Sequence, residues 1–165
     1  MGSTKSIKAR VRPEVTAGGF TYNDGTIAFY DRVRALLSES DLVLDFGAGR
    51  GAAQDDPVTY RRSLVDLRGA ERRVVGVDVD EVVLGNPFLD QAYHIGGGDS
   101  IPLETGAVQT IVADWVFEHI SYPHAAVAEL DRVLGPVGYA PARPIEEVTS
   151  RLGHVLSLTG RRQEC

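Results

Sequence analysis

Four short stretches hold the side chains able to do chemistry. They are Asp45 with Gly47, Gly49 and Gly51 in DLVLDFGAGRG, Asp78 and Asp80 in VVGVDVD, Asp99 in GGGDSIPL, and Asp114, Glu118 and His119 in ADWVFEH. A turn written GAGRG brings backbone N–H groups close to a ligand, because glycine has no Cβ to block approach and tolerates positive φ. Gly47, Gly49 and Ala52 satisfy the GxGxxA form of the dinucleotide fingerprint. The turn alone therefore admits a nicotinamide or flavin cofactor, another nucleoside-bearing cofactor, or no ligand. Gly51 and the missing lysine exclude a P-loop. A carboxylate such as Asp78, closing a strand, can accept both hydroxyls of a ribose laid across the turn; its alternative role is to cap the next helix.

These residues need a scaffold that brings them to one edge. Ile27, Tyr30, Val33, Leu36 and Leu37 recur at helical spacing, with Asp24 or Thr26 as cap. DLVLDF is a short apolar run bounded by turn residues, the pattern of a buried parallel strand. A helix is expected through about Leu67, with Asp55 or Asp56 as cap, Pro57 in its first turn and Gly69 as its stop. Strands follow at Val74 to Val77, near Tyr93 to Ile95 and at about Gln109 to Ala113, then a helix from about Pro123 to Leu134. Strands alternating with helices predict a doubly wound, mostly parallel α/β sheet with helices on both faces. Right-handed crossovers then place the glycine turn and the Asp78 carboxylate along the carboxyl edge, where such sheets bind ligands.

The chain has 165 residues, enough for one domain with a real core. A formal net charge of −6 gives no general attraction to phosphate backbones, so no nucleic-acid partner is expected. A single cysteine, Cys165, excludes an internal disulfide and a cysteine metal cluster, and points to a reducing, cytoplasmic setting. His94, His119, His124 and His154 lack a second ligand at a metal-binding spacing, so no metal is expected. No apolar stretch reaches the roughly 18 residues of a membrane span, and the N-terminus lacks the apolar centre of a secretion signal. Gly2 and Ser6 fit a loose myristoylation pattern, set against a solvated, frayed terminus.

In order and spacing, VLDFGAGRG, VVGVDVD and GGGDSIPLETGAVQTIVADWVFEHISYPHAAVAELDRVLGP resemble the class I S-adenosylmethionine-dependent methyltransferase family, from about Asp41 to Pro136. The resemblance implies a Rossmann-like, three-layer αβα domain with S-adenosyl-L-methionine as cofactor. It assigns the acidic-glycine motif to Asp45, Gly47, Ala48, Gly49 and Gly51, the ribose to Asp78 with Val79 beside it, and the adenine to Asp99 and Ser100. Asp99 has the alternative role of terminating a glycine turn. A carboxylate at Asp45 suits a ligand bearing an ammonium and a sulfonium, whereas a pyrophosphate is repelled there, which weighs against a dinucleotide oxidoreductase. ADWVFEH falls where the family faces the departing methyl group. Asp114 is a candidate for cofactor or substrate contact and His119 for the base; alternatively the Glu118–His119 pair begins a helix, and Trp115 mostly packs.

Beyond Pro136 the likeness fades, because Gly135 and Val137 interrupt the expected helix end and fifth strand. Ile145, Val148, Leu152, Val155 and Leu156 then form a helical stripe between Pro144 and Gly160. The expected organisation is a flexible arm over 1–24, the cofactor domain over 25–140 and a divergent helix and tail over 141–165. The last strands of the family sheet are expected to be missing through truncation or a frame change. An unpaired apolar edge would then promote oligomers, against which a monodisperse monomer would count. The expected activity is methyl transfer to a small-molecule or glycan acceptor, the alternative a non-catalytic remnant that binds cofactor or a partner.

Overall fold

The computed structural model describes residues 11–143. Gly2, Ser6, His154, Cys165 and the stripe from Ile145 to Leu156 lie outside the described residues. The helices are α1 (Val15–Gly18), α2 (Gly25–Leu36), α3 (Thr59–Val65) and α4 (Pro123–Val133). The strands are β1 (Leu42–Phe46), β2 (Arg73–Asp78), β3 (Gln91–His94), β4 (Val108–Asp114), β5 (Leu134–Tyr139) and β6 (Ala142–Arg143). They run in the order β3-β2-β1-β4-β5, with β6 also on β4, and every pairing is parallel.

The run of apolar residues in β1 and β4 fills both faces of the sheet, as a central parallel strand must. Val43 and Val112 pack with Tyr30 and Val33 of α2 and Leu64 of α3. Their neighbours Leu44 and Ile111 face the opposite way, against Leu130 and Val133 of α4. This alternation makes the expected three layers. Register aligns Asp45 with Gly76 and Val112, so β1 delivers its carboxylate and the glycine turn between the ends of β2 and β4.

Asp24 is the cap of α2, accepting from the N–H groups of Thr26 and Ile27 at 3.1 Å each. The next helix differs from expectation. Asp56 does not cap it: one oxygen accepts from the Val58 N–H at 2.8 Å, and both oxygens hold Arg61. That turn postpones the helix to Thr59, leaving Pro57 outside it, and Gly69 lies beyond its end at Val65. Arg61 also reaches Asp24 at 2.7 Å, tying α3 to the start of α2. The irregularity expected at Gly135 and Val137 takes the form of a bulge: Leu134 pairs with Val108 and Tyr139 with Thr110.

Thr110 is fully buried in β4, and its Oγ1 has no hydrogen-bond partner among the described residues. An unpaired buried hydroxyl costs about 1–3 kcal/mol. Thr110→Val keeps the shape and removes that penalty. It is expected to raise stability by about 1 kcal/mol, or roughly 2–4 °C in a chain of this size, measured by thermal denaturation.

Candidate functional site

A cavity of about 440 Å³ opens at the carboxyl edge of the sheet, within the roughly 300–1,000 Å³ typical of small-molecule sites. Its walls come from four loops. The first two, after β1 and β2, supply Phe46 with Gly47 and Asp78 with Val79. The third supplies Gly96 to Asp99, and the segment after β4 supplies Trp115, Val116 and His119. Of the candidates read from sequence, Gly47, Asp78, Val79, Asp99 and His119 therefore meet around one space. Ala48, Gly49, Gly51 and Ser100 do not line it, nor do Asp45 and Asp114, which belong to an adjoining cluster.

The glycine turn is held by hydrogen bonds on both sides. The N–H groups of Gly47 and Ala48 donate to the Val77 carbonyl at 2.8 and 3.2 Å, and the Gly49 N–H donates to Asp78 Oδ2 at 2.8 Å. The other Asp78 oxygen accepts from the Asp80 N–H at 2.8 Å. Asp80, not Asp78, caps the short helical turn that follows, through the Val82 N–H. Asn86 is buried and donates from Nδ2 to the carbonyls of Ala48 and Gly49 at 2.9 and 3.2 Å. Nothing in its spacing marks it, since the contact depends on the turn folding back across β2.

Asp99 both lines the cavity and closes the glycine turn, its Oδ2 accepting from the Gly96 N–H at 2.8 Å. The loop it belongs to is anchored from α4. Arg132 donates to the carbonyls of Ile101 and Leu103 at 2.8 Å each, and Glu129 accepts from the Ile101 N–H at 3.0 Å. The Arg132 guanidinium also holds the Glu129 carboxyl below the ordinary carboxylate range. These two residues show in sequence only as the polar side of a helix.

Beside the cavity lies a cluster of charge. Tyr30, a buried residue of α2, donates its hydroxyl to Asp114 Oδ2 at 3.3 Å. Arg143 grips both oxygens of Asp114, from Nε at 2.6 Å and Nη2 at 2.7 Å. Burial, with the charges of Asp45 and Asp114, pushes the Tyr30 phenol well above its usual range. The Asp45 carboxyl group accepts no hydrogen bond among the described residues. Burial first, then the charges of Asp114 and Asp78, push it up to about 7. A carboxylate so destabilised has much to gain from a cationic ligand. Glu118 stays out of the cavity, with Oε2 buried and unpaired among the described residues. His119 is exposed and faces into the cavity. Trp115 corrects the expectation that it packs: it is 46% exposed and forms part of the cavity wall, with φ at +60°.

A parallel sheet with a glycine turn after β1, a carboxylate ending β2 and a cavity over both defines a Rossmann-like domain for a ribose-bearing cofactor. A family model for methyltransferase domains matches residues 44–141, and the chain belongs to that family. Its cofactor is S-adenosyl-L-methionine. Among solved structures, a SAM-dependent methyltransferase from Aquifex aeolicus is 25% identical, with a TM-score of 0.58 over 84% of this chain and 83% of that one. A TehB-like SAM-dependent methyltransferase from Corynebacterium glutamicum shares the fold at 20% identity, with a TM-score of 0.55 over 92% of this chain and 79% of its own. The [4+2]-cyclase SpnF shares it too, at 18% identity and a TM-score of 0.60 over 81% of this chain, which spans 57% of the cyclase. No curated protein matches the sequence. Among the described residues no helix is long and apolar enough to cross a membrane.

The residues present fit the cofactor. Gly47 makes room at the cavity floor, where an added Cβ would meet Val116 Cγ1 at 2.7 Å, and Asp45 offers an unpaired carboxylate to a cation.

Proposed function

We propose that this chain is an S-adenosylmethionine-dependent methyltransferase acting on a small-molecule or glycan acceptor. The observation that carries the reading is the convergence of Asp78, Asp99 and His119 on one cavity, with an unpartnered Asp45 beside it. Asp45 receives the methionine ammonium, Asp78 the ribose hydroxyls, and Asp99 with the Ser100 backbone the adenine ring. The turn from Gly47 through Ala48 and Gly49 to Gly51 keeps the backbone close beneath the cofactor, and Val79 covers the sugar. When bound, the cofactor supplies an electrophilic methyl carbon already activated by the sulfonium.

The protein's own work is then mostly orientation. The acceptor lies between the methyl end and the segment after β4, with Asp114 at its border. His119, exposed to the cavity, takes the acceptor's proton as the new bond forms. Trp115 and Tyr122, both exposed on the cavity wall, give the acceptor end an aromatic rim.

Calorimetric titration with S-adenosylmethionine and with NAD tests the cofactor assignment. S-adenosylmethionine is expected to bind and NAD is not; binding of NAD alone would overturn the reading. Asp78→Ala removes charge-assisted bonds worth roughly 1.5–3 kcal/mol each and frees the Gly49 N–H. Affinity for S-adenosylmethionine is expected to fall at least about tenfold, and unchanged affinity would reject the ribose role.

A further inference from the structure

We propose that Arg143 is a positioning residue for the methyl-transfer site, a cross-link that sets Trp115 and Asp114 at the mouth of the cofactor cavity. The inference rests on the cofactor occupying that cavity. Arg143 stands in β6, opposite Asp114 in the register, at the point where the family likeness has faded from the sequence. One side chain joins three elements. Nε and Nη2 fork onto the two oxygens of Asp114 at the end of β4, and Nη1 lies 3.3 Å from Thr26 Oγ1 of α2. Its guanidinium carbon is 5.2 Å from the centre of the Phe29 ring and 5.1 Å from that of Trp115. The planar ion is thus flanked by an aromatic from α2 and an aromatic from the cavity wall. Lysine cannot reproduce this, because an ammonium neither forks onto a carboxylate nor stacks as a plane.

Trp115 shows what the cross-link holds. It is the one residue other than glycine with positive φ among the described residues, an unfavourable conformation for a bulky side chain. Such a residue persists only where its surroundings fix it. Arg143 does so twice: its carbonyl accepts from the Trp115 N–H at 2.9 Å, and its guanidinium lies over the indole. The same indole lines the cavity. Arg143 does not itself line it, so its effect on the site passes through Trp115 and Asp114.

Trp115 is the only tryptophan in the chain, so its emission reports on this contact alone. The test uses the full chain as wild type, Arg143→Ala and Arg143→Lys, each followed by tryptophan emission, acrylamide quenching and titration with S-adenosylmethionine. Arg143→Ala is expected to expose Trp115 to quencher and to weaken S-adenosylmethionine binding about tenfold, a size usual for coupled neighbours. Added methylguanidinium is expected to restore both in this variant and change neither in wild type. Arg143→Lys, which keeps the charge, is expected to remain defective in both and so carries the test if the alanine variant does not fold. Wild-type emission and affinity in either variant would overturn the proposal, as would weakened affinity in Arg143→Ala that methylguanidinium leaves unrestored. A wild-type chain that fails to bind S-adenosylmethionine while Trp115 still responds to the substitutions would instead locate the failure in the cofactor reading and overturn the link to catalysis.

Discussion

Asp45→Asn is expected to make the protein more resistant to heat above pH 7 while lowering its affinity for S-adenosylmethionine about a hundredfold, in line with truncating one member of a charge pair. Both effects have one cause. Burial and the charges of Asp114 and Asp78 push Asp45 up to about 7, against about 3.9 in an unfolded chain. Between those values the folded protein holds a proton that the unfolded chain has released, so stability falls as pH rises through that window and levels off above it. Asparagine carries no charge to desolvate. Its melting advantage over wild type is therefore expected to be small near pH 4, to grow through pH 7 and then to stay constant at roughly 10 °C.

Cofactor binding has the opposite dependence. A cation favours ionised Asp45, so wild-type affinity is expected to rise between about pH 5.5 and 7.5, while Asp45→Asn binds weakly with no such rise across that range. Melting curves and calorimetric titrations at four or five pH values give both profiles. A variant with wild-type affinity would remove Asp45 from the site, and a variant no more stable at pH 8 than wild type would mean that its charge costs the fold nothing.

This opposition explains why several residues of the candidate site stand out in sequence. Asp45 follows an apolar run and precedes a glycine turn, a position in which a carboxylate has no folding role to fill. Asp78 and Asp99 likewise sit at strand or turn ends that the βαβ pattern directs to one edge. Local signals carried the alternation of strands and helices, the places of β1 and β4 and Asp24 as one of two candidate caps, because each depends on residues a few positions apart. Asp56 was misassigned because its competing partner, Arg61, stands a turn further on, and the turn at Val58 outweighs a cap. Asn86, Arg132 and Arg143 were not legible for a different reason. Their partners lie about thirty or more residues away, at Ala48, Ile101 and Asp114, and only the folded sheet brings them together. For Arg143 the signal was weaker still, since it sits on a two-residue strand past a bulge.

Gly47→Ala is expected to destabilise the fold severely for the addition of one methyl group. At φ of +76°, Gly47 occupies the left-handed region, which costs an alanine roughly 1–2 kcal/mol. The new Cβ would also overlap both methyl groups of Val116, with Cγ1 at 2.7 Å. Val116 cannot simply retreat, because its carbonyl accepts from the His119 N–H at 2.9 Å and it belongs to the cavity wall next to Trp115. Overpacking of this kind adds roughly 1–3 kcal/mol, for a combined loss of about 2–5 kcal/mol and a melting temperature lower by roughly 5–15 °C. Gly49→Ala separates the two contributions. It shares the positive φ, at +51°, but an added Cβ there meets nothing within 4 Å. It is expected to lose only the backbone part, about 1–2 kcal/mol. If the two variants melt together, Val116 yields without cost and the floor of the cavity is softer than its packing implies. A much larger loss at Gly47 means that the turn and the segment carrying His119 are held in a single rigid contact, so that Gly47 also fixes where His119 stands.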